Sequence, residues 1–261
     1  LGRFAEALED FNAVIALRGE YGEAYLEKGH ALSALCDHKH AVEAFTLAGD
    51  RLPQSVPAFF GKGVSLLQTG RYDEAIRAFT RVTEIEPANT EAHYLIGTTA
   101  IVLRRYKDAV SAFDHLLAAA PDSADGWFEK GIALFRLKRY SDAITAFERA
   151  AALRPDHFDT VYHRACSLAA LGKNEEAVLA IDDVLRIEPA NASSLQKKGA
   201  ALLRLGKYQD AVRSLDRALD LDRDLSEAHY DKGRALSALG MYREAVRTFE
   251  RAEAIDRNNG D

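Results

Sequence analysis

Cysteine, methionine, tryptophan and proline are all scarce in this chain of 261 residues, which holds two Cys, one Met, one Trp and six Pro. Two cysteines, Cys36 and Cys166, cannot build a disulfide framework, and their distance apart in the chain's register argues against a single bridge. No apolar run approaches the roughly 18 residues that a membrane-spanning helix needs, so no membrane partner is expected. A basic excess is missing too. Forty acidic side chains outnumber 34 basic ones, the net charge is −6 and the pI about 5.8, which argues against nucleic acid as a partner. The chain opens at Leu1 without an initiator Met, and its one methionine is Met241. Either the start was processed or the chain is a piece of a longer protein, the expected case, and a missing leader carries little weight. The cytoplasm is the expected compartment.

Catalytic patterns are absent as well. There is no phosphate loop, no Gly-x-Ser-x-Gly elbow and no His-Glu-x-x-His. Asp220, Asp222 and Asp224 imitate half of a calcium loop, but Leu225 stands where the sharp turn needs glycine. Cys36, His38 and His40 cluster within five residues, whereas a structural zinc site wants four ligands at longer separations. No catalytic residue, metal or cofactor is expected.

What the chain does have is a period. Pro53, Pro87, Pro121, Pro155 and Pro189 follow one another at intervals of 34 residues. Gly29, Gly63, Gly97, Gly131, Gly199 and Gly233 share that register, with Ala165 in the remaining slot. Alanines recur without a gap from Ala7 to Ala245, and a large apolar residue follows each by four, from Phe11 to Phe249. Within a unit, Trp127, Ile132, Leu134, Phe135 and Leu137 recur at helical spacing. A turn at Lys138-Arg139 precedes a second series at Tyr140, Ala143, Ile144, Phe147, Ala150 and Leu153. Proline ends the unit because it cannot continue a helix. Asn89, Ser123 and Asn191 stand where the next helix wants an N-cap. Gly131 and Ala143 are expected to let the two helices approach closely. A helix pair this small cannot bury its own apolar face, so stacking must supply the core.

Trp127, Gly131, Leu134, Tyr140, Ala143, Phe147, Ala150 and Pro155 together resemble the signature of the tetratricopeptide repeat family. The resemblance covers essentially the whole chain. It implies an all-α fold, a right-handed α-solenoid of stacked antiparallel helix pairs with a 34-residue period. The second helix of a truncated repeat would occupy 1–21, followed by repeats at 22–55, 56–89, 90–123, 124–157, 158–191, 192–225 and 226–259, and a tail at 260–261. The signature's leucine before glycine is replaced by Lys28, Lys62, Lys130, Arg164, Lys198 and Lys232, read as snorkelling side chains reaching water or a neighbouring acid. Such arrays need polar capping, so an uncovered face is expected around Val246, Phe249 and Ala252.

In this family the first helices line a concave groove, and slots 2, 5, 6, 9, 12 and 13 touch ligands. Carried over, those slots give the candidate partner-binding residues Phe60, Tyr94, Phe128, Tyr162, Tyr230 and Phe135, with acids at Glu91, Asp125 and Asp159 and positive points at Arg136 and Arg204. Such a row can also be packing, since aromatic stripes at helical spacing are usually core. The residues of the family's carboxylate clamp are missing: its slots hold Phe60, Val64 and Leu95. An aromatic and acidic groove implies a protein partner presenting a peptide or helix with apolar anchors and basic flanks. The expected function is a non-enzymatic interaction scaffold; the alternative is a regulatory or substrate-docking arm of a larger enzyme or sensor. End-to-end self-association through uncapped terminal repeats is a further expectation.

Overall fold

Seven helices start one residue after a capping position, and in four of them, at Ser55, Asn89, Ser123 and Asn191, a side chain there bonds a helix N–H. Asn89 Oδ1 accepts from Ala92 N at 2.9 Å, Ser123 Oγ from Gly126 N at 3.1 Å and Asn191 Oδ1 from Ser194 N at 2.8 Å. Each bond satisfies one of the N–H groups left over at a helix start. These first helices are α2 (Gly22–Ala34), α4 (Val56–Gln68), α6 (Thr90–Val102), α8 (Ala124–Arg136), α10 (Phe158–Ala170), α12 (Ala192–Arg204) and α14 (Ser226–Ala238). The second helices are α1 (Gly2–Leu17), α3 (His38–Arg51), α5 (Tyr72–Ile85), α7 (Tyr106–Ala119), α9 (Tyr140–Leu153), α11 (Asn174–Ile187), α13 (Tyr208–Leu221) and α15 (Tyr242–Asn258). The computed structural model describes residues 2–258, and among them there are 15 helices and no strand. The tail at 260–261 lies outside the described residues, as do Leu1 and Asn259.

The corner between first and second helices is the same in all seven cases. Cys36, Gly70, Arg104, Lys138, Gly172, Gly206 and Gly240 adopt positive φ between 58° and 83°. The next N–H then reaches back to close a six-residue loop, as in Asp37 N to Leu32 O (2.9 Å) and Lys207 N to Leu202 O (3.0 Å). This left-handed C-cap stops the first helix and reverses the chain.

Two compact units divide the chain, Leu1–Ala133 and Leu134–Asp261. In the first, α1 to α7 pack consecutively, and α2 also touches α4. In the second, α9 to α15 pack consecutively, with α10 against α12 and α12 against α14. Each is a solenoid of stacked helix pairs.

The packing rule is readable in single pairs. A Cβ on Gly63 would stand 2.5 Å from Phe79, and one on Gly199 would stand 2.5 Å from Leu215. The glycine thus makes room for the large residue on the paired helix. Where Ala165 replaces glycine, the facing slot carries the slimmer Ile181, and both are buried in one cluster. Gly131 and Ala143 fall on opposite sides of the division between units.

A second lock joins successive repeats. Trp127 Nε1 donates to Pro121 O at 2.9 Å, and His93 Nε2 donates to Pro87 O at 2.8 Å. His229 Nε2 does the same for Arg223 O at 3.0 Å, where arginine stands in the proline slot. Because the acceptor is backbone, the loss of proline leaves this bond intact.

Three of the five lysines before glycine reach neighbouring acids. Lys130, Lys198 and Lys232 lie 2.6 Å from Asp114, Asp182 and Asp216, each on the second helix of the preceding repeat. Arg164 pairs instead with Asp183 at 3.2 Å. Of the face expected to be uncovered, Val246 is exposed, Phe249 is half-buried and Ala252 is buried. Ala252 therefore departs from the expectation: α15 turns it inward, one helical turn beyond Phe249.

Candidate functional site

Slot 5 of a first helix looks both ways, inward to the paired helix and outward to solvent. Phe60 sets its ring edge on Phe79 at 5.5 Å, and Tyr94 does so on Phe113 at 6.1 Å. Tyr230 tilts over Phe249 at 5.6 Å yet stays 55% exposed. Phe128 is half-buried. Tyr162 stacks on Phe158 at 5.8 Å, and its hydroxyl meets Ser193 Oγ at 3.1 Å. Phe60, Tyr94 and Tyr230 thus each lean on a phenylalanine of the paired helix while part of the ring stays accessible.

In residues 2–133 an open cavity of about 450 Å³ brings Phe60 and Glu91 together, with His30, Val56 and Val64 on its walls. Nearby slots are acidic. Burial raises the Glu129 carboxyl above its ordinary range, and Asp125 adds to the shift. The Tyr94 hydroxyl is raised for related reasons: burial first, then the charges of Glu129 and Asp125. Glu91 and Asp125 are exposed. No Lys or Arg occupies slots 2, 5, 6, 9, 12 or 13 of the first helices up to residue 133.

In residues 134–258 a larger open cavity of about 1010 Å³ joins Phe135, Arg204 and Tyr230, three of the residues expected from sequence. Its floor carries a polar bridge between repeats. Gln196, buried on α12, donates from Nε2 to Asp231 Oδ2 at 3.0 Å. Asp231 also faces Arg234, whose Nη1 lies 3.4 Å from Oδ1. Burial pushes the Asp231 carboxyl up, while Gln196, Arg234 and Arg204 pull it back.

Tyr162, Asp159 and Arg136 stand outside that lining. They surround His163, which rests in a nest of Phe135, Phe147 and Tyr162. Burial lowers the His163 imidazole; Asp159 opposes this, and Arg136 and Lys197 reinforce it.

Sequence reasoning placed the groove on first helices alone. Phe249, Ala252, Glu253 and Asp256 of α15 also line the larger cavity. The signal available was the large apolar slot at Phe249, which serves both the core and the cavity.

Around Cys36 the geometry is that of a helix start. Cys36 is the exposed left-handed corner, and His40 Nδ1 lies 2.7 and 2.9 Å from the Asp37 carboxylate oxygens. The hydrogen bond from His40 lowers the Asp37 pKa. Among the described residues, no group of three or more His, Cys, Asp or Glu is arranged to hold a metal ion, and no helix is long and apolar enough to cross a membrane.

Models of the tetratricopeptide repeat match residues 34–90, 60–124, 94–158 and 162–224, and again 202–261. Solved structures with this architecture include YrrB, described as a TPR protein with an unusual peptide-binding site. It is 22% identical over 72% of this chain and 96% of its own, with a TM-score of 0.65. The MamA protein is 25% identical over 65% of this chain and 92% of its own, with a TM-score of 0.62. A tetratricopeptide repeat protein from Parabacteroides merdae is 16% identical over 90% and 93%, with a TM-score of 0.62. No curated protein matches the sequence significantly.

Proposed function

Because the chain belongs to the tetratricopeptide repeat family, we propose that it is a non-catalytic interaction scaffold that holds peptide or helical segments of a partner protein on its first-helix faces. The observation that carries this reading is the open cavity of about 1010 Å³ with Phe135 and Tyr230 in its walls. A space of that size, bordered by half-exposed aromatics and a few polar groups, suits an extended side-chain-bearing segment. YrrB, which shares the fold, offers a precedent in its peptide-binding site. The modules of the scaffold, on the same proposal, are the 34-residue repeats that begin at Gly22.

For residues 2–133 the fitting segment is apolar with basic flanks. Residues 1–133 hold 19 acidic and 13 basic side chains, and 134–261 hold 21 of each, so the whole charge of −6 belongs to the first unit. Glu91 borders the Phe60 cavity, while Asp125 and Glu129 surround Tyr94. A Lys or Arg beside an apolar anchor would meet complementary charge there.

The test uses fluorescence polarisation with labelled, amidated dodecapeptide pools in which Lys alternates with randomised apolar residues, beside a twin pool carrying Gln. Tighter binding of the Lys pool, lost in the Glu91→Lys/Glu129→Lys variant, is expected. Equal binding of the two pools, or no loss in the variant, would sink the basic-apolar reading.

Self-association is a second reading, favoured by the exposure of Tyr242 (69%) and Val246 (54%) on α15. Sedimentation over a concentration series should show a dimer that Val246→Glu abolishes; a wild-type monomer throughout rejects it.

A further inference from the structure

A separate open cavity of about 420 Å³ lies among α11, α12 and α13 and shares no residue with the larger cavity of residues 134–258. Leu202 and Ser214, both buried, form its inner wall with half-buried Val178, while exposed Lys207, Arg213 and Arg217 form its rim. Lys198 and Asp210 complete the lining. Four cations therefore face a single carboxylate. Lys207, Asp210, Ser214 and Arg217 recur at intervals of three and four residues, which puts them on one face of α13. One repeat earlier, Leu179 and Asp183 hold the slots of Arg213 and Arg217, so this charge pattern is not one that every repeat provides.

Pairing commits two of the four cations. Asp182 holds Lys198 at 2.6 Å, and Asp210 holds Arg213. Lys207 stands in a slot where Arg71, Arg139 and Lys173 each pair with the acid three residues on. Here Arg213 has taken that acid, and neither Lys207 nor Arg217 makes an ion pair or side-chain hydrogen bond among the described residues. Ser214 is an independent sign. Its slot is alanine in the five preceding repeats, at Ala44, Ala78, Ala112, Ala146 and Ala180. Thr248, in the same slot of the last repeat, bonds back to Glu244 O at 2.7 Å. Ser214 is only 8% exposed, and its hydroxyl meets no hydrogen-bond partner among the described residues. A buried hydroxyl left that way is a cost, and this one lines the cavity, where a ligand oxygen would satisfy it.

We propose that this cavity binds the phosphoryl group of a phosphate monoester, its oxygens on Lys207, Arg217 and the Ser214 hydroxyl and its ester carbon toward Leu202 and Val178. The two uncommitted cations balance the charge of about −1.5 to −2 that such a group carries at neutral pH. Guanidinium and ammonium meet its oxygens with charge-assisted hydrogen bonds, and a carboxylate, with one charge and two oxygens, would leave part of this donor set unused. Asp210 in the lining and Asp182 beside Lys198 interrupt the positive surface, so one phosphoryl group fits and a nucleic-acid backbone does not. The recognising chemistry is the same for a small phosphorylated alcohol and for a phosphorylated serine of a partner. The site uses none of the first-helix residues assigned to the scaffold, so it stands or falls separately from that reading.

The experiment is isothermal titration at low salt of the whole chain and its variants, each verified as helical by circular dichroism. Probes are glycerol 3-phosphate beside glycerol, and a capped Gly-Gly-phosphoserine-Gly-Gly peptide beside its serine twin. At least one phosphorylated probe should bind at least about tenfold more tightly than its counterpart. Lys207→Gln/Arg217→Gln should abolish that preference. Ser214→Ala, which restores the residue of the five preceding repeats and so keeps the fold, should weaken it severalfold. Arg186→Gln/Arg257→Gln removes the same charge at exposed positions outside the cavity and should leave it unchanged. Tighter binding of the peptide than of glycerol 3-phosphate identifies a phosphorylated side chain as the source; equal or tighter binding of glycerol 3-phosphate identifies a free ester. The proposal is overturned if neither phosphorylated probe is preferred, or if the preference survives in Lys207→Gln/Arg217→Gln or Ser214→Ala. Equal loss in Arg186→Gln/Arg257→Gln, or tighter binding of oligothymidylate than of either monoester, overturns it as well.

Discussion

A methyl group placed on Gly97 would stand 2.5 Å from Cζ of Phe113, closer than two carbons can sit. Phe113 is fully buried, so the ring has nowhere to go. Gly97→Ala should therefore cost about 1–3 kcal/mol, the usual penalty for overpacking. Urea unfolding followed by circular dichroism would measure it, and an unchanged midpoint would show that α6 and α7 can slide apart.

Arg104 and Lys138 hold φ of 58° and 59° at corners where four other repeats use glycine. A side chain in this region costs about 1–2 kcal/mol, and glycine loses roughly 0.5–1 kcal/mol of that advantage to chain entropy. Arg104→Gly and Lys138→Gly should each stabilise by up to about 1 kcal/mol. Destabilisation by either would mean that the long side chain contributes packing that outweighs the backbone strain.

Glu129 has a folded-state pKa raised above the ordinary 4.5, first by burial and then by Asp125. The folded state therefore binds this proton more tightly than the unfolded chain. The resulting stability is complete below the unfolded value and is lost as pH rises through the folded one. Glu129→Gln should melt higher than wild type at neutral pH and equal to it below about pH 4. A difference that persists in acid would assign the effect to packing.

Lys198 lies 2.6 Å from Asp182, but the two side chains are 23% and 47% exposed. Water and salt screen such a pair, and the lysine stem still covers apolar surface. Lys198→Met should cost less than about 1 kcal/mol, with little salt dependence. A larger loss that salt relieves would show the pair to be a principal support of the repeat stack.

Much of this architecture was legible in the residues. The proline and glycine register locates the repeats, and Asn89, Ser123 and Asn191 announce helix starts that their side-chain bonds then make. Helix periodicity, capping and turn chemistry are local, so a one-dimensional sequence carries them. The aspartates facing the lysine ladder were harder to read. Asp114 and Lys130 are 16 residues apart and belong to different repeats, so only the stacking of α7 on α8 reveals their 2.6 Å contact.

The candidate site divides in the same way. Phe60, Tyr94 and Tyr230 could be picked out by slot, because the repeat fixes which slots face outward. Which of them share a cavity could not. Phe135, Arg204 and Tyr230 come together with Lys197 and with α15, whereas Tyr162 turns to Ser193 and leaves the lining. That sorting depends on how each ring leans on its paired helix and which charges find partners across repeats. The sequence by itself determined the repeat, its caps and its apolar faces through local spacing. Tertiary packing alone decided where the cavities open and which charged side chains line them, because both follow from contacts between helices far apart in the chain.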